Sequence, residues 1–415
     1  MARAAQARRL TIVGSELGSI AGLIRNAAGP SDSAAVILYA GPGAEFQGPG
    51  HALGQPGSMT SSDRVLVTGA SGFVGSAVAK ALTEAGFDVR ALVRATSPRK
   101  HLEGLQIEFA EGDLRDAESV RRAMTGVRHV FHVAADYRLW ARDPREISAV
   151  NVEGTRILMT EALRAGVEKV VYTSSVATLA LNREGKPVDE TLPLTEANAI
   201  GVYKRSKVAA ERMVEAMIAS DKLPAIIVNP STPIGPRDVK PTPTGRIIVE
   251  TATGRMPGFV DTGLNLVHVD DVAAGHLAAL HKGKVGERYI LGGRNFTLQR
   301  LFSDLQRISG VPAPSVRLNP ELAAGGAILA ERLGLPLSIA VDETRSAAQW
   351  WTYSSAKAKR ELGFTSRPHE ETLEDAVADV SEALGGRVGR EPTRAESAME
   401  AAGRLANLAA RLSPL

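Results

Sequence analysis

The stretch RVLVTGASGFVGSAVAKALTEAG, residues 64–86, decides the predicted fold. Its apolar beginning at Val65–Val67 is typical of a buried strand, and its second half has the apolar spacing of an amphipathic helix that ends near Gly86. The turn between them contains three glycines, which are Gly69, Gly72 and Gly75. Because these glycines stand between a strand and a helix, the stretch predicts a turn that binds a nucleotide, with a merely tight turn as the alternative.

Each glycine of this turn has a separate expected role. Gly69 permits the tight turn, Gly72 lets the backbone approach a pyrophosphate, and Gly75 allows the helix to pack closely on the strand. The first turn of the helix then offers free N–H groups and the positive end of its dipole to the anion. The other loop residues expected to line this site are Ser71, Phe73 and Val74.

The second predicted strand bears on the choice of dinucleotide. The segment DVRALVR, residues 88–94, ends in Arg94, where a site selective for NAD usually places an acidic residue against the ribose 2′-hydroxyl. An arginine suits a 2′-phosphate instead, with Arg99 and Lys100 as helpers nearby. NADP(H) is therefore favoured, with NAD(H) as the alternative; Arg94 would then simply be solvated beyond the strand.

Four further strand patterns follow, separated by helical patterns such as EISAVNVEGTRILMTEALRAG. The strands are QIEFAEGDL (106–114), RHVFHVAA (128–135), EKVVYTSS (168–175) and PAIIVNPS (224–231). Strands that alternate with helices predict a doubly wound parallel sheet of the Rossmann type, whose ligands bind beyond the carboxyl ends of the strands. The residues expected to meet there are Asp113, Ala134, Ala135, Ser174, Ser175, Asn229 and Pro230.

A second motif, YKRSK, places Tyr203 and Lys207 on one face of a predicted helix. Tyrosine is a poor acid or base near neutral pH, because its ordinary pKa is about 10. A neighbouring ammonium and a cationic nicotinamide would stabilise the phenolate. The hypothesis is that Ser175 orients a substrate oxygen, Tyr203 transfers the proton, and Lys207 tunes Tyr203 and holds the nicotinamide ribose. The residues between them, expected to be solvated, are Lys204 and Arg205.

The chain resembles the extended short-chain dehydrogenase/reductase superfamily over about residues 63–380, in the ordered segments TGASGFVG, GDL, HVAA, NVEGT, YTSS, YKRSK, NPSTPIGP and HVDDVAAGH. Within it, the chain is most similar to the hopanoid-associated sugar epimerases, which are relatives of dihydroflavonol reductases. The segments that carry this likeness are HVAADYRLWARDP, NPSTPIGPRDVKPTPTGRII and VDTGLNLVHVDDVAAGH. The resemblance implies an NAD(P)-dependent enzyme with a Rossmann domain and a smaller C-terminal α/β substrate domain.

The same resemblance implies further site residues. Asp113 and Leu114 would contact the adenine, and Pro230 and Ser231 would border the nicotinamide. A homodimer through the two helices beside the site is also implied. Three side chains after the fourth strand would either clamp a polar substrate or only cover the end of the sheet, and they are Tyr137, Arg138 and Trp140.

Three activities are compatible with the resemblance. An epimerase of a sugar or sugar-like group in hopanoid biosynthesis would return the hydride to its own substrate. A ketone reductase of the dihydroflavonol type would release an alcohol and consume NADPH. A non-catalytic NADP sensor is the third alternative, and it is disfavoured because the chain keeps Ser175, Tyr203 and Lys207.

Composition excludes several other classes of protein. The chain of 415 residues has no cysteine, which excludes disulfides, thiolate nucleophiles and cysteine-ligated zinc. Its eight histidines are scattered, so no metal site is expected. The net charge of +3 comes without a basic stripe, which argues against nucleic-acid binding. Apolar runs stay below the roughly 18 residues of a spanning helix, so we expect a cytoplasmic protein, whether or not it associates peripherally with a membrane.

The predicted domain boundaries follow changes of composition along the chain. A Gly/Pro/Ser-rich stretch predicts a disordered extension at residues 1–62. The Rossmann domain is expected at 63–235, with segments returning at about 262–292, and the substrate-binding part mainly at 236–384. Residues 385–415 form an alanine-rich tail that is compatible with a helix.

Two remaining signals receive structural interpretations. In HVDD, residues 268–271, Asp270 or Asp271 is expected to cap the following helix rather than to form a catalytic carboxylate pair. Trp350 and Trp351 are expected to lie in the core of the substrate domain.

Overall fold

The computed structural model describes residues 63–138, 143–181, 186–256, 258–260, 262–319, 349–386 and 388. The predicted disordered extension at 1–62 lies outside the described residues, and so do residues 389–415 of the predicted tail and Trp140. Within the described residues, no helix is both long enough and apolar enough to cross a membrane.

The central sheet has seven strands, all parallel, and its first six are those predicted from the sequence. They are β1 (Arg64–Thr68), β2 (Asp88–Val93), β3 (Ile107–Glu111), β4 (His129–His132), β5 (Lys169–Thr173), β6 (Ala225–Pro230) and, much later in the chain, β10 (Arg288–Leu291). Their order across the sheet is β10-β6-β5-β4-β1-β2-β3. The chain therefore builds outward from β1 in both directions, as a doubly wound Rossmann sheet does.

Helices cover both faces of this sheet. In chain order the helices of the described residues are α1 (Phe73–Glu84), α2 (Ala117–Ala123), α3 (Pro144–Ser148), α4 (Thr155–Ala165), α5 (Val202–Asp221), α6 (Pro243–Ala252), α7 (Val269–Lys282), α8 (Leu298–Ser309), α9 (Ala356–Leu362) and α10 (His369–Ala383). Val65 and Val67 share a core with α1 and α7, whereas Leu66 shares one with α2, α4 and α5. Alternate side chains of one strand thus enter opposite layers, which is why the strands are apolar throughout.

The smaller α/β part carries two short sheets. One contains β7 (Thr232–Ile234), β9 (Gly263–His268) and β11 (Arg294–Thr297), and the other pairs β8 (Phe259–Val260) with β12 (Arg317–Leu318). The helices α6, α8 and α10 bury a third apolar core against them. The fold class is as the sequence predicts, and the boundary near residue 235 stays a prediction.

The helix before α4 departs from regular geometry. The sequence predicts one continuous helix, but Ala149–Gly154 forms a π-helical turn between α3 and α4. Asn151 in this turn donates to the hydroxyl of Ser206 at 2.9 Å, and its amide oxygen accepts the N–H of Asp136 at 2.7 Å. Such turns are frequently found at functional sites, and this one joins the loop after β4 to α5.

A buried chain of hydrogen bonds fixes the protonation of His132. Thr155 donates its hydroxyl proton to the carbonyl of Asn151 at 2.7 Å, so its oxygen accepts from Nε2 of His132 at 2.8 Å. The hydroxyl of Thr68 accepts the N–H of Ala134 and donates to Nδ1 of His132 at 2.8 Å. His132 is therefore neutral with its proton on Nε2, and burial lowers its pKa to about 3.

The predicted cap of α7 is wrong. His268 caps this helix, because its Nδ1 accepts the N–H of Asp270 at 3.0 Å. Asp270 instead forms an ion pair with Arg237, and Asp271 forms one with Arg367 at 2.9 Å. Both carboxylates are thus paired with arginines that are distant in sequence, and neither caps the helix.

The neutral His132 makes stability depend on pH in a predictable direction. The unfolded chain binds a proton on this residue near pH 6.5, and the folded chain does so only near pH 3, so the free energy of unfolding falls as the pH is lowered between these values. From pH 6.5 to pH 5 this residue contributes a loss of about 2 kcal/mol. We expect His132→Gln to have a correspondingly flatter pH dependence, measured by urea unfolding between pH 7 and pH 5. His281→Gln, at an exposed position where burial lowers the histidine pKa less strongly, should flatten the slope less than His132→Gln does, and equal slopes for wild type and His132→Gln would contradict the prediction.

Candidate active site

A cavity of 1340 Å³ lies at the carboxyl ends of the parallel strands, bordered by the turns that follow β1, β3, β4, β5 and β6. Most site residues predicted from the sequence line this cavity; the exceptions are Trp140, which lies outside the described residues, and Arg99 and Asn229, which do not border it. Those that line it include Gly69, Ser71, Gly72, Phe73, Val74, Gly75, Arg94, Asp113, Leu114, Ala134, Ala135, Tyr137, Arg138, Ser175, Tyr203, Lys207, Pro230 and Ser231.

The three glycines of the first turn differ in whether the surrounding protein leaves room for a side chain. Gly69 has a φ of +72°, and a Cβ there would lie 2.6 Å from Cα of Ala134. A Cβ on Gly75 would lie 2.0 Å from the carbonyl oxygen of Gly69. Gly72 has ordinary extended backbone angles, and its Cβ would come no closer than 3.2 Å to protein. The fold itself requires Gly69 and Gly75, whereas Gly72 borders the cavity without so close a contact, and its approach to a ligand stays a prediction.

The end of the cavity that is predicted to hold the adenosine is strongly charged. Arg115 bonds Asp113 through its guanidinium at 2.7 Å and holds the pKa of that carboxyl at about 2, with a smaller contribution from Arg94. Arg94 lies just beyond β2, and its N–H donates to the hydroxyl of Ser97 at 3.2 Å. Asp113 is thus an ionised group already committed to an arginine, and Arg94 stands beside it at the cavity wall.

The two residues proposed to assist Arg94 lie in different places in the structure. Lys100 lines the cavity together with Arg94 and Ser97. Arg99 instead stacks on the exposed ring of Phe109, with its guanidinium carbon 4.7 Å from the ring centre. Ser97 escaped the sequence analysis, because a serine in a polar loop carries no distinguishing signal.

Tyr203 and Lys207 lie in the first two turns of α5, which begins directly after Gly201. Lys207 is only 3% exposed, and its ammonium donates to the carbonyl oxygen of Thr173 at 3.0 Å. Burial lowers the pKa of Lys207 to about 8 against the opposing charge of Glu211. Burial raises the pKa of Tyr203, and its hydrogen bond with the side chain of Ser175 lowers that pKa only in part. The structure therefore brings a protonated phenol, a hydroxyl and an ammonium together.

At the end of the cavity that is predicted to border the nicotinamide, Ser231 contributes a further polar atom. The hydroxyl of Ser231 is buried, lines the cavity and has no hydrogen-bond partner within the described residues. A buried hydroxyl in this condition normally has a ligand or a water as its partner. Together with the open space at Gly72, it fits a bound dinucleotide.

The other side of the cavity is mainly apolar and comes from the smaller part of the chain. Charged side chains such as Arg246 and Glu250 border it as well, and its large apolar side chains are Ile247, Met256, Phe259, Leu264, Leu298, Phe302, Leu318 and Trp351. The sequence analysis assigned none of them to the site, because their apolar pattern is equally typical of a core.

Trp351 and Lys204 correct two of the expectations. Trp351 lines the cavity instead of lying wholly in the core, and the ammonium of Lys204 sits 4.0 Å from the centre of its ring. The prediction that Lys204 is simply solvated is therefore wrong, since it belongs to the cavity wall beside Tyr203.

The predicted substrate clamp has a mixed outcome. Tyr137 is 43% exposed at the cavity edge, and its hydroxyl donates to the carbonyl of Lys240 at 3.5 Å. Arg138 forms ion pairs with Asp136 at 2.6 Å and with Glu146 at 3.1 Å. Its charge is thus largely neutralised by the protein, and a role in clamping substrate stays a prediction.

Comparison with known proteins identifies the family. Residues 65–292 match the NAD dependent epimerase/dehydratase family. The chain belongs to that family. It is 43% identical over 328 residues to a putative dihydroflavonol 4-reductase of Synechocystis, covering 77% of this chain and 95% of the relative. It is 37% identical over 319 residues to sterol demethylase protein B of Methylococcus capsulatus, covering 75% and 97%. The crystal structure of gox2253 superposes with a TM-score of 0.72 at 50% identity, covering 79% and 100%.

These comparisons establish the general activity of this epimerase/dehydratase family member. It is an NAD(P)-dependent oxidoreductase or epimerase of the extended short-chain dehydrogenase/reductase type. The glycine turn and the unpartnered hydroxyl of Ser231 are the places where its residues fit the dinucleotide. Within the described residues, no cluster of three or more histidine, cysteine, aspartate or glutamate side chains could hold a metal ion.

Alanine substitutions separate the two kinds of glycine. Gly75→Ala forces a Cβ against the carbonyl of Gly69 and should lower the free energy of unfolding by about 1–3 kcal/mol. Gly72→Ala should change stability by less than about 1 kcal/mol, yet weaken dinucleotide binding about tenfold or more, because its methyl group enters the space for the phosphates. Urea unfolding and fluorescence titration with NADPH measure the two effects. Equal destabilisation by both substitutions would show that Gly72 serves packing.

Proposed function

We propose that this protein transfers a hydride between NADP(H) and a carbonyl or carbinol carbon of a largely apolar, ring-containing substrate. The observation that carries the proposal is the continuity of one cavity, which runs from the glycine turn past Tyr203 to an apolar wall. Ketone reduction is the direction we favour, with epimerisation of a sugar-like group as the second candidate.

In this mechanism Ser175 and Tyr203 both bind the substrate oxygen. The reduced dinucleotide supplies the hydride when it is bound. As the carbonyl carbon accepts it, Tyr203 donates its proton to the oxygen, and the carbonyl becomes an alcohol. The phenolate left on Tyr203 is stabilised by the ammonium of Lys207 and regains its proton from solvent.

The protonation states suit reduction near neutral pH. Burial raises the pKa of Tyr203, so the phenol carries the proton that it must give. Lys207, with its pKa lowered to about 8, is still mostly an ammonium at pH 7. Oxidation of the alcohol would need the phenolate at the start, so it should be favoured at higher pH than reduction.

The preference for NADP(H) is supported by the charges beyond β2. Arg94, Lys100 and the hydroxyl of Ser97 border the same part of the cavity, and together they suit a ribose 2′-phosphate. Arg115 binds both oxygens of the neighbouring Asp113 carboxylate. That carboxylate therefore does not form a bidentate pair with Arg94.

The substrate class is inferred from the cavity wall and from the relatives. Ring surfaces such as Trp351, Phe259 and Phe302 suit a flat apolar molecule. The names of two relatives refer to a dihydroflavonol and to a sterol, and both are polycyclic. A hopanoid lipid belongs to the same chemical class, so the hopanoid pathway expected from the sequence remains part of the proposal.

Removal of the proposed proton donor tests the reaction. Tyr203→Phe should lower kcat for NADPH-dependent reduction of a polycyclic ketone, such as a dihydroflavonol or a 3-ketosteroid, by about 10²–10⁴-fold, with NADPH binding retained. The control is Tyr289→Phe, which removes a buried hydroxyl that bonds Glu361 outside the cavity.

Three results would count against this proposal. Full activity of Tyr203→Phe would remove the tyrosine from the mechanism. Turnover of substrate without net NADPH consumption would favour the epimerase. A cellular phenotype that persists in Tyr203→Phe would favour the non-catalytic sensor.

The cofactor preference has its own matched pair of variants. Arg94→Gln should weaken NADPH binding about tenfold or more and leave NADH binding nearly unchanged, because only NADPH offers a phosphate to the guanidinium. Arg99→Gln should alter neither affinity, since Arg99 stacks on Phe109. Titration of each variant with both dinucleotides measures the effect. Equal losses for NADH and NADPH in Arg94→Gln would contradict the preference.

A further inference from the structure

Glu211 lies four residues beyond Lys207 on α5, so Tyr203, Lys207 and Glu211 follow one another along one face of the helix. Its side chain is fully buried, with 0% exposure. Burying a carboxylate costs several kcal/mol unless it is paired and hydrogen-bonded, so its position calls for a physical reason. The sequence analysis gave it none, because a glutamate in a charged helix is usually solvated.

One carboxylate oxygen of Glu211 is bound by two side chains that also contact the backbone of Ser175. Oε2 accepts from the amide of Asn229 at 2.8 Å and lies 2.9 Å from the hydroxyl of Thr178. The same amide donates to the carbonyl oxygen of Ser175 at 3.0 Å, and the Thr178 hydroxyl lies 2.7 Å from that oxygen. Asn229 and Thr178 thus connect the carboxylate to the backbone of the proposed catalytic serine.

The other carboxylate oxygen of Glu211 faces two arginines. Oε1 accepts from Arg212 at 2.8 Å and lies 3.3 Å from the guanidinium of Arg288. Both arginines also form ion pairs with Glu215, one turn further along α5. Glu215 offers a matched comparison, because within the described residues it shares these arginines but forms no hydrogen bond with Asn229 or Thr178.

Glu211 also faces Lys207 electrostatically. The titratable groups that face Lys207 are Tyr203 and Glu211 on its own helix, Tyr172 on β5 and His132 on β4. Burial raises the pKa of Tyr172 and of Tyr203, and it lowers the pKa of His132, so all three are neutral at pH 7. Among these groups Glu211 alone offers a negative charge against the burial of Lys207, and Arg212 and Arg288 offset that charge in part from its other oxygen.

We propose that Glu211 is a positioning residue of this active site, which holds the Ser175 loop against α5 and keeps Lys207 in its ammonium form. The inference rests on the proposed roles of Ser175, Tyr203 and Lys207. In this proposal the buried carboxylate acts in two ways. The hydrogen bonds of its Oε2 position Ser175, and its charge favours the ammonium form of Lys207.

The test measures the titration of Lys207 directly and needs no substrate. Lysine side chains are labelled with ¹³C, the Lys207 resonance is identified by its loss in Lys207→Arg, and its shift is followed from pH 6 to pH 11. We expect a midpoint near 8 in the wild-type protein and one lower by about one unit in Glu211→Gln, because burial is then unopposed. Glu215→Gln should titrate like the wild type.

A purely structural role for Glu211 would lower stability without moving this midpoint. An unchanged midpoint in Glu211→Gln, or an equal shift in Glu215→Gln, would overturn the inference. If Glu211→Gln does not fold, Glu211→Asp withdraws the carboxylate by one methylene group and should give a smaller shift in the same direction. An aspartate variant that titrates like the wild type would then overturn it.

Activity measurements separate this inference from the proposed function. Glu211→Gln should lower kcat for NADPH-dependent ketone reduction by more than it raises KM, because the serine and the lysine act on the reacting oxygen. Full activity in Tyr203→Phe would refute the proposed mechanism itself. An inactive Tyr203→Phe beside an unshifted Lys207 resonance in Glu211→Gln would refute only the role of Glu211.

Discussion

The approach of Gly75 to the carbonyl of Gly69 is the constraint on which the rest of the structure depends. A Cβ at Gly75 would lie 2.0 Å from that oxygen, so α1 can pack this closely on β1 only because the side chain is absent. This contact fixes the line of α1, against which α7 packs to form one face of the sheet. It also fixes the start of α1 at the cavity, which Phe73 and Val74 line together with Gly72. One close approach therefore sets both a core and the proposed phosphate-binding position.

The site itself is assembled from elements that are far apart in the chain. Ser175 lies two residues beyond β5, Tyr203 and Lys207 lie in the first two turns of α5, and Asn229 at the end of β6 bonds both the backbone of Ser175 and the side chain of Glu211 on α5. Parallel strands make this possible, because their carboxyl ends meet at one edge whatever their separation in sequence. The chain of hydrogen bonds through His132 fastens the same edge on the face of the sheet that also carries α5, by way of Thr68 on β1 and Thr155 on α4.

Features that depend on local sequence could be predicted, and features that depend on distant partners could not. The six strands, the glycine turn and the pairing of Tyr203 with Lys207 on one helix face follow from periodicity and spacing, and the structure has all of them. The cap of α7 was mispredicted because Arg237 and Arg367, remote in sequence, bind the two aspartates. Lys204 was misjudged for the same reason, since nothing near it in sequence announces Trp351. The apolar wall of the cavity could not be told from a core, because both need the same side chains.

The π-helical turn at Ala149–Gly154 has a consequence for how this family member can change over time. Such a turn closes i→i+5 hydrogen bonds and holds one residue more than a regular helical turn. Removing a single residue there would let the segment close as an ordinary helical turn with α3 and α4 left in place, so the side chains within the turn would take new positions. Asn151 would then leave Ser206 and the backbone of Asp136, to which it now bonds. A deletion of three nucleotides could thus dismantle this edge of the site while every proposed catalytic side chain stayed in the sequence.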